Sequence, residues 1–175
     1  LGCKVNQYET QVLREMLRGC GFCEVDEKNA GIVIVNTCTV TMQADSKSRK
    51  IISSISRVNP RAKIYVTGCY AVSPEDISKL KKMANVVAVV PNLEKFELPA
   101  IIAEQKESLA PDSFTISGFE SHSRAFVKIQ DGCDQICSFC KVRLVRGRSV
   151  SRSKKMIIEE IEKLIAFGYK EIVLT

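Results

Sequence analysis

The 175-residue chain has a single histidine, His122, and no apolar run approaching the roughly 18 residues a membrane-spanning helix needs. The first shortage removes any site built on several imidazoles. The second removes a transmembrane helix, so no membrane partner is expected. Nothing at the start reads as an export signal. Eight cysteines without such a signal point to thiols kept reduced for metal ligation rather than to disulfides, and hence to a cytoplasmic setting. The first residue is Leu1 rather than Met, so further chain is expected upstream. Apolar residues at 45% and charged residues at 26% are an ordinary globular balance, enough for one domain with a sizeable core or one domain and part of another.

Acidic residues are missing from one stretch. Between Lys141 and Lys155 stand seven basic residues, Lys141, Arg143, Arg146, Arg148, Arg152, Lys154 and Lys155, and no Asp or Glu. The rest of the chain carries 19 basic against 20 acidic residues, so the whole net charge of +6 resides here. A concentrated positive field suits a polyanion such as RNA. A solvated basic loop is the plain alternative.

Immediately before that stretch lies Cys133-Asp134-Gln135-Ile136-Cys137-Ser138-Phe139-Cys140, a C-x3-C-x2-C triplet. Thiolates are soft ligands for zinc or iron–sulfur clusters. A closed structural zinc site takes four ligands. No Cys follows Cys140, and His122 precedes the triplet, so no local fourth ligand is evident. Three thiolates on a four-iron cubane would leave one iron open for chemistry. A zinc knuckle and a purely electron-transferring cluster remain alternatives at this point.

The chain in order alternates helix and strand. Residues 7–18 read as a helix with Asn6 as N-cap and Tyr8, Val12, Leu13, Met16 and Leu17 on its apolar face. The β-branched run Ile32-Val33-Ile34-Val35 reads as a buried strand, followed by a helix over 43–57, a strand over 62–67, a helix from Ser73 to about Met83 and a strand over 85–90. Residues 93–106 read as a helix broken near Pro99. This predicts an N-terminal α/β domain with a doubly wound parallel sheet, residues 1–106. Residues 107–123, rich in Ser, Pro and Gly, read as a linker in which His122 is a solvated residue. Residues 124–175 read as strand, cysteine loop, basic segment, helix from Ser153 and strand.

In a doubly wound sheet ligands gather at the carboxyl ends of the strands. Cys38 and Cys69 follow two such ends, and Cys3 falls at a third if a strand precedes Leu1. Their separations of 35 and 31 residues are about one strand–helix unit each. Three thiols thus converge on one sheet edge, predicting a second three-cysteine cluster site. Cys20 and Cys23 form a C-x2-C pair after a helix end, away from that edge, and read as incidental.

The C-x3-C-x2-C spacing with Phe139 before the last Cys resembles the signature of radical S-adenosylmethionine (SAM) enzymes. The stretches Leu1 to Glu9, Asn36-Thr37-Cys38-Thr39-Val40-Thr41, Ala44-Asp45 with Lys47-Ser48-Arg49, Thr67-Gly68-Cys69-Tyr70, Gln130 through Cys140 and Arg146-Gly147-Arg148-Ser149 together resemble the methylthiotransferase branch. Cys-Lys-Val-Asn-Gln-Tyr-Glu resembles most the members acting on threonylcarbamoyladenosine beside the tRNA anticodon. The resemblance implies two 4Fe–4S clusters. Cys133, Cys137 and Cys140 would hold one, with SAM on its open iron and Phe139 beside the cofactor. Cys3, Cys38 and Cys69 would hold an auxiliary cluster carrying the methylthio sulfur. It further implies an electron donor, the tRNA anticodon loop as partner with Arg146, Arg148 and Arg152 as RNA contacts, and residues 124–175 as the first βαβ unit of a partial radical SAM (β/α) barrel. Sister branches act on isopentenyladenosine in tRNA and on a ribosomal protein. A metal-stabilised RNA-binding module without catalysis is the rival of another class. The chain departs from the family pattern at Lys141-Val142-Arg143, where two aliphatics and Pro are usual, and at Pro91-Asn92, where Gly-Asn is common. It carries only one unit of the expected barrel, and reads as part of a longer protein.

Overall fold

The computed structural model describes residues 2–39, 42–104, 115–119 and 123–175. His122, and the linker residues 107–114 and 120–121, lie outside the described residues. The elements in order are α1 (Lys4–Gly19), β1 (Ile32–Thr37), α2 (Met42–Val58), β2 (Lys63–Gly68), α3 (Pro74–Lys81), β3 (Val86–Val89), a 3-10 helix (Asn92–Glu97), α4 (Leu98–Ala103), β4 (Ala125–Val127), β5 (Gln130–Asp131), α5 (Val142–Arg146), β6 (Val150–Ser151), α6 (Lys154–Ala166) and β7 (Ile172–Leu174).

Strands β1, β2 and β3 form a parallel sheet in that order, as their apolar β-branched composition predicts. Alternate residues serve opposite faces. Val35, Ile64 and Val66 meet Ile52 and Ile55 of α2 and Leu80 of α3. Ile34 and Tyr65 pack on the other side with Leu13 of α1 and Leu98 and Ile102 of α4. Helices therefore cover both faces. Ser73 caps α3 as expected, accepting from the Asp76 N–H at 3.0 Å with Pro74 in the first turn.

In the second part β4 and β7 pair in parallel, joined through α6, and β5 pairs antiparallel with β6. One parallel βαβ unit is present; its continuation into a barrel is not among these residues. Ser153 caps α6, accepting from the Met156 N–H at 3.3 Å.

Helix α1 lies between the two parts. Leu13 faces the three-stranded sheet, while Tyr8 and Val12 join a core with Ile116, Phe119, the whole of β4 and Leu164 of α6. Ile116 and Phe119 fall in the stretch read as a linker, yet residues 115–119 are part of that core: Ile116 has no exposed surface, and its N–H donates to Glu160 at 2.7 Å.

Several sequence expectations are corrected. Helix α1 begins three residues early, with Cys3 rather than Asn6 in the N-cap position. Asn6 is fully buried because its amide bonds a neighbouring strand instead of its own helix end. The 93–106 helix is a 3-10 turn followed by a six-residue α-helix, in keeping with Pro99 at the junction. The strand over 124–130 is interrupted after Val127 and resumes as β5. Helix α5 inside the basic segment carried no periodic signal, being only five residues long.

Candidate functional site

The carboxyl edge of the sheet is assembled by three short sequence stretches that fasten one another. Asn6 Nδ2 donates to the Asn36 carbonyl, and Asn36 Nδ2 donates back to the Asn6 carbonyl, both at 3.1 Å. This reciprocal pair ties the first turn of α1 to the end of β1. A Cβ on Gly2 would sit 2.8 Å from Cys38 Cβ, so the stretch around Cys3 lies directly against Cys38. Thr37 Oγ1 donates to the Thr67 carbonyl at 2.6 Å and accepts from the Tyr70 N–H at 3.2 Å, while the Cys69 N–H donates to the Thr37 carbonyl at 3.0 Å. Gly68 has φ +96, and a side chain there would lie 2.4 Å from the Thr37 carbonyl oxygen. Cys38 and Cys69 therefore follow the last residue pair of neighbouring parallel strands, Thr37 and Gly68. Both are buried, and Cys3 is exposed. Among the described residues no group of three Cys, His, Asp or Glu side chains converges closely enough to hold a single metal ion.

Cys133, Cys137 and Cys140 lie on the loop between β5 and α5; Cys137 and Cys140 are exposed and Cys133 is half-buried. The loop is held at both ends. The Cys133 N–H donates to the Gly147 carbonyl at 3.1 Å, and the Cys140 N–H to the Cys137 carbonyl at 3.1 Å. Arg143 Nη1 donates to the Asp134 carbonyl at 2.9 Å, and the Ser149 N–H to Asp134 Oδ1 at 3.3 Å. Gly132, at φ +67, lies where a Cβ would be 2.0 Å from the Arg148 carbonyl oxygen. Phe139 is 90% exposed at the loop tip, with Ile136 also exposed. Three thiols and an aromatic thus point outward from an anchored loop.

The two cysteine-bearing regions meet at a buried ionic network that sequence reading did not find. Glu9 accepts from Lys95 Nζ at 2.6 Å, Lys128 Nζ at 3.0 Å, and Arg146 Nη1 and Nη2 at 2.9 and 3.0 Å. Asp131 accepts from Lys128 at 2.8 Å and Arg146 at 3.0 Å. Burial by itself would raise the Glu9 carboxyl, but the surrounding cations override it and hold Glu9 well below the usual carboxylate range. Asp131 is likewise held down by Lys128 and Arg146 against its burial. Burial pushes the Cys69 thiol up, opposed by Arg146, which also hydrogen-bonds it, and by Lys95. The signal for this network was in plain view as Glu9 within the Cys3 stretch, but its partners lie 86 to 137 residues away.

Two of the three arginines expected to contact RNA are corrected by these contacts. Arg146 is 8% exposed and spends its donors on Glu9 and Asp131. Arg152 donates to Tyr8 at 3.0 Å, the Lys128 carbonyl at 2.7 Å and the fully buried Glu160 at 2.7 Å. Their partners come from elements distant in sequence, which a charge run cannot disclose. Arg148 is exposed. Cys20 closes the end of α1 through its N–H to the Met16 carbonyl at 3.0 Å, at the opposite end of that helix from Cys3.

A parallel α/β domain with cysteines at its strand ends, joined to a three-cysteine loop, defines a class of protein built to hold sulfur-ligated metal. The family model described as "Uncharacterized protein family UPF0004" matches residues 1–90, and the chain belongs to that family, the N-terminal domain of methylthiotransferases. Over 177 residues the chain is 41% identical to the threonylcarbamoyladenosine tRNA methylthiotransferase MtaB of Chlamydia pneumoniae, covering 99% of this chain and 41% of that protein. It is 36% identical over 190 residues to the protein of the same name from Bacillus subtilis, covering all of this chain and 42% of the relative. A tRNA-2-methylthio-N(6)-dimethylallyladenosine synthase from Syntrophomonas wolfei is 34% identical over 189 residues, covering 99% and 42%. The chain thus spans about two fifths of the length of these curated relatives. Among the described residues no helix is long and apolar enough to cross a membrane.

Proposed function

We propose that this chain is the cluster-binding part of a cytoplasmic tRNA methylthiotransferase that places a methylthio group on carbon 2 of threonylcarbamoyladenosine beside the anticodon. One observation carries the reading: Cys38 and Cys69 follow paired strand ends with the Cys3 stretch against them, and the Cys133–Cys140 loop is anchored to the same region through the Glu9 network. The similarity to two proteins named for threonylcarbamoyladenosine favours that substrate over its dimethylallyl counterpart.

The donor sets fit the groups the family requires. Three outward thiols on an anchored loop suit a 4Fe–4S cluster whose fourth iron binds SAM, and Phe139 at the loop tip is placed to cover that cofactor. At the sheet edge the network has three cations, Lys95, Lys128 and Arg146, against two anions, Glu9 and Asp131, so an anionic sulfur site beside Cys69 is matched in charge. When bound, the loop cluster supplies the electron that cleaves SAM to an adenosyl radical, and the auxiliary cluster supplies the sulfur. The aromatic C–H bond at the target carbon is one that no side-chain base here could break. The chain's own residues hold thiols, fix the separation of the two sites and shape their charge. Exposed Arg148, Lys141, Lys154 and Lys155 offer phosphate contacts near the loop.

Splitting the sites tests the reading. Full-length protein reconstituted anaerobically should hold about eight irons, four per cubane, and either triple Cys→Ala variant should hold about half. The Cys3/Cys38/Cys69 variant should still cleave SAM yet give no methylthio nucleoside by mass spectrometry of tRNA. The Cys133/Cys137/Cys140 variant should give neither product. Ala at both Cys20 and Cys23 should leave iron content unchanged. Methylthiolated tRNA from either triple variant would refute the assignment.

A further inference from the structure

A buried carboxylate with a single cation would be neutral. Here Glu9, 1% exposed, is met by Lys95 at 1%, Arg146 at 6% and Lys128 at 12% side-chain exposure. With Asp131 counted, the network among the described residues carries one positive charge in excess. Uncompensated charge in a protein interior costs several kcal/mol, so an arrangement of this kind is stable only with an anion nearby. The group it faces is Cys69: Arg146 hydrogen-bonds that sulfur, and Lys95 acts on it as well. Asp131, which shares Arg146 with Glu9, precedes Gly132 and accepts the Gly132 N–H at 2.8 Å, at the root of the other cysteine loop. One guanidinium therefore touches the sulfur at the sheet edge, the carboxylate of the Cys3 helix and the residue that anchors the Cys133–Cys140 loop.

We propose that Arg146 is a positioning residue that sets the reduction potential of the cluster on Cys3, Cys38 and Cys69 and couples its place to the second cysteine loop. The proposal rests on the cluster assignment given above. Positive charge and hydrogen bonds to cluster sulfur favour the reduced, more negative state, so they raise the potential. The planar fork of Arg can serve Glu9 with two parallel donors while still reaching Asp131 and Cys69, which a Lys ammonium cannot do. This explains why an arginine in a basic segment is buried rather than offered to solvent.

The test uses full-length protein carrying Cys133→Ala, Cys137→Ala and Cys140→Ala, so that only the sheet-edge cluster is read. Iron content and an electron paramagnetic resonance redox titration are recorded for this parent and for Arg146→Gln, Arg146→Lys and Asp131→Asn added to it. Arg146→Gln should keep about four irons and shift the midpoint to more negative potential. Arg146→Lys should recover part of the shift. Asp131→Asn, which removes a negative charge, should move the midpoint the opposite way. A parent without iron refutes the cluster assignment and this proposal with it. A parent with iron whose midpoint is the same in all three variants overturns the role of Arg146 alone. If Arg146→Gln loses its iron, the opposed shifts of Arg146→Lys and Asp131→Asn decide, and their absence overturns the proposal.

Discussion

Arg146 closes a two-pronged pair on Glu9, Nη1 to Oε1 at 2.9 Å and Nη2 to Oε2 at 3.0 Å, between residues 137 positions apart. Glu9 belongs to the helix that starts at Cys3, and Arg146 to the short helix that follows Cys140. The pair is thus a fastening between the two cysteine regions, and its environment determines what its loss would do.

Replacing Glu9 by Ala leaves Lys95, Lys128 and Arg146 facing one another with only Asp131 between them. Breaking a buried pair in this way costs about 3–5 kcal/mol, read as a lower urea midpoint. The pH dependence has a definite sign. The folded Glu9 carboxyl titrates below its unfolded value, so its contribution is complete above about pH 4.3 and is lost as pH falls further. Glu9→Gln should flatten the acid limb of the stability profile. An acid limb identical to wild type would show that other carboxylates govern it.

Arg148 and Arg152 should separate in their effects on RNA. Arg148 is exposed, so Arg148→Gln should lower the slope of log affinity for tRNA against log salt by about 0.7–0.9 and leave the unfolding midpoint unchanged. Arg152→Gln strips the fully buried Glu160 carboxylate of its arginine and should cost about 3–5 kcal/mol, with the salt slope kept. A flattened slope at full stability in Arg152→Gln would return that residue to the RNA surface.

Gly132→Ala should disable the cysteine loop selectively. Its positive φ disfavours a side chain, and the new Cβ would meet the Arg148 carbonyl oxygen at 2.0 Å, so the root of the loop must move. Reconstituted full-length protein should fall from about eight irons to about four. Gly68→Ala, which drives a Cβ against the Thr37 carbonyl, should instead cost the irons of the sheet edge. Full iron in both variants would show that neither glycine guards a thiol site.

Much of this was legible in the residues themselves. The β-branched runs at 32–35 and 62–67 announced parallel strands because a strand covered on both faces has no polar side to alternate. The placement of Cys38 and Cys69 followed from the strands alone, since a side chain just past a strand end lies at the sheet edge whatever the helices do. The C-x3-C-x2-C loop declared itself by spacing. Asn6 misled because an Asn before an apolar-periodic run is a good cap by local rules, whereas its amide found the Asn36 carbonyl of another element.

The sequence by itself therefore determined the strand–helix order, the six thiols and the family, all of which depend on local pattern and short spacing. Only the tertiary structure decided the fate of the charges. Seven basic residues in a row look alike as letters, but Arg146 and Arg152 turn inward to Glu9 and Glu160 while Arg148 faces water. The physical reason is that burying a guanidinium is permitted only where carboxylates from elsewhere in the chain meet it, and those arrive 137 and 8 positions away through packing of α1, β4 and α6.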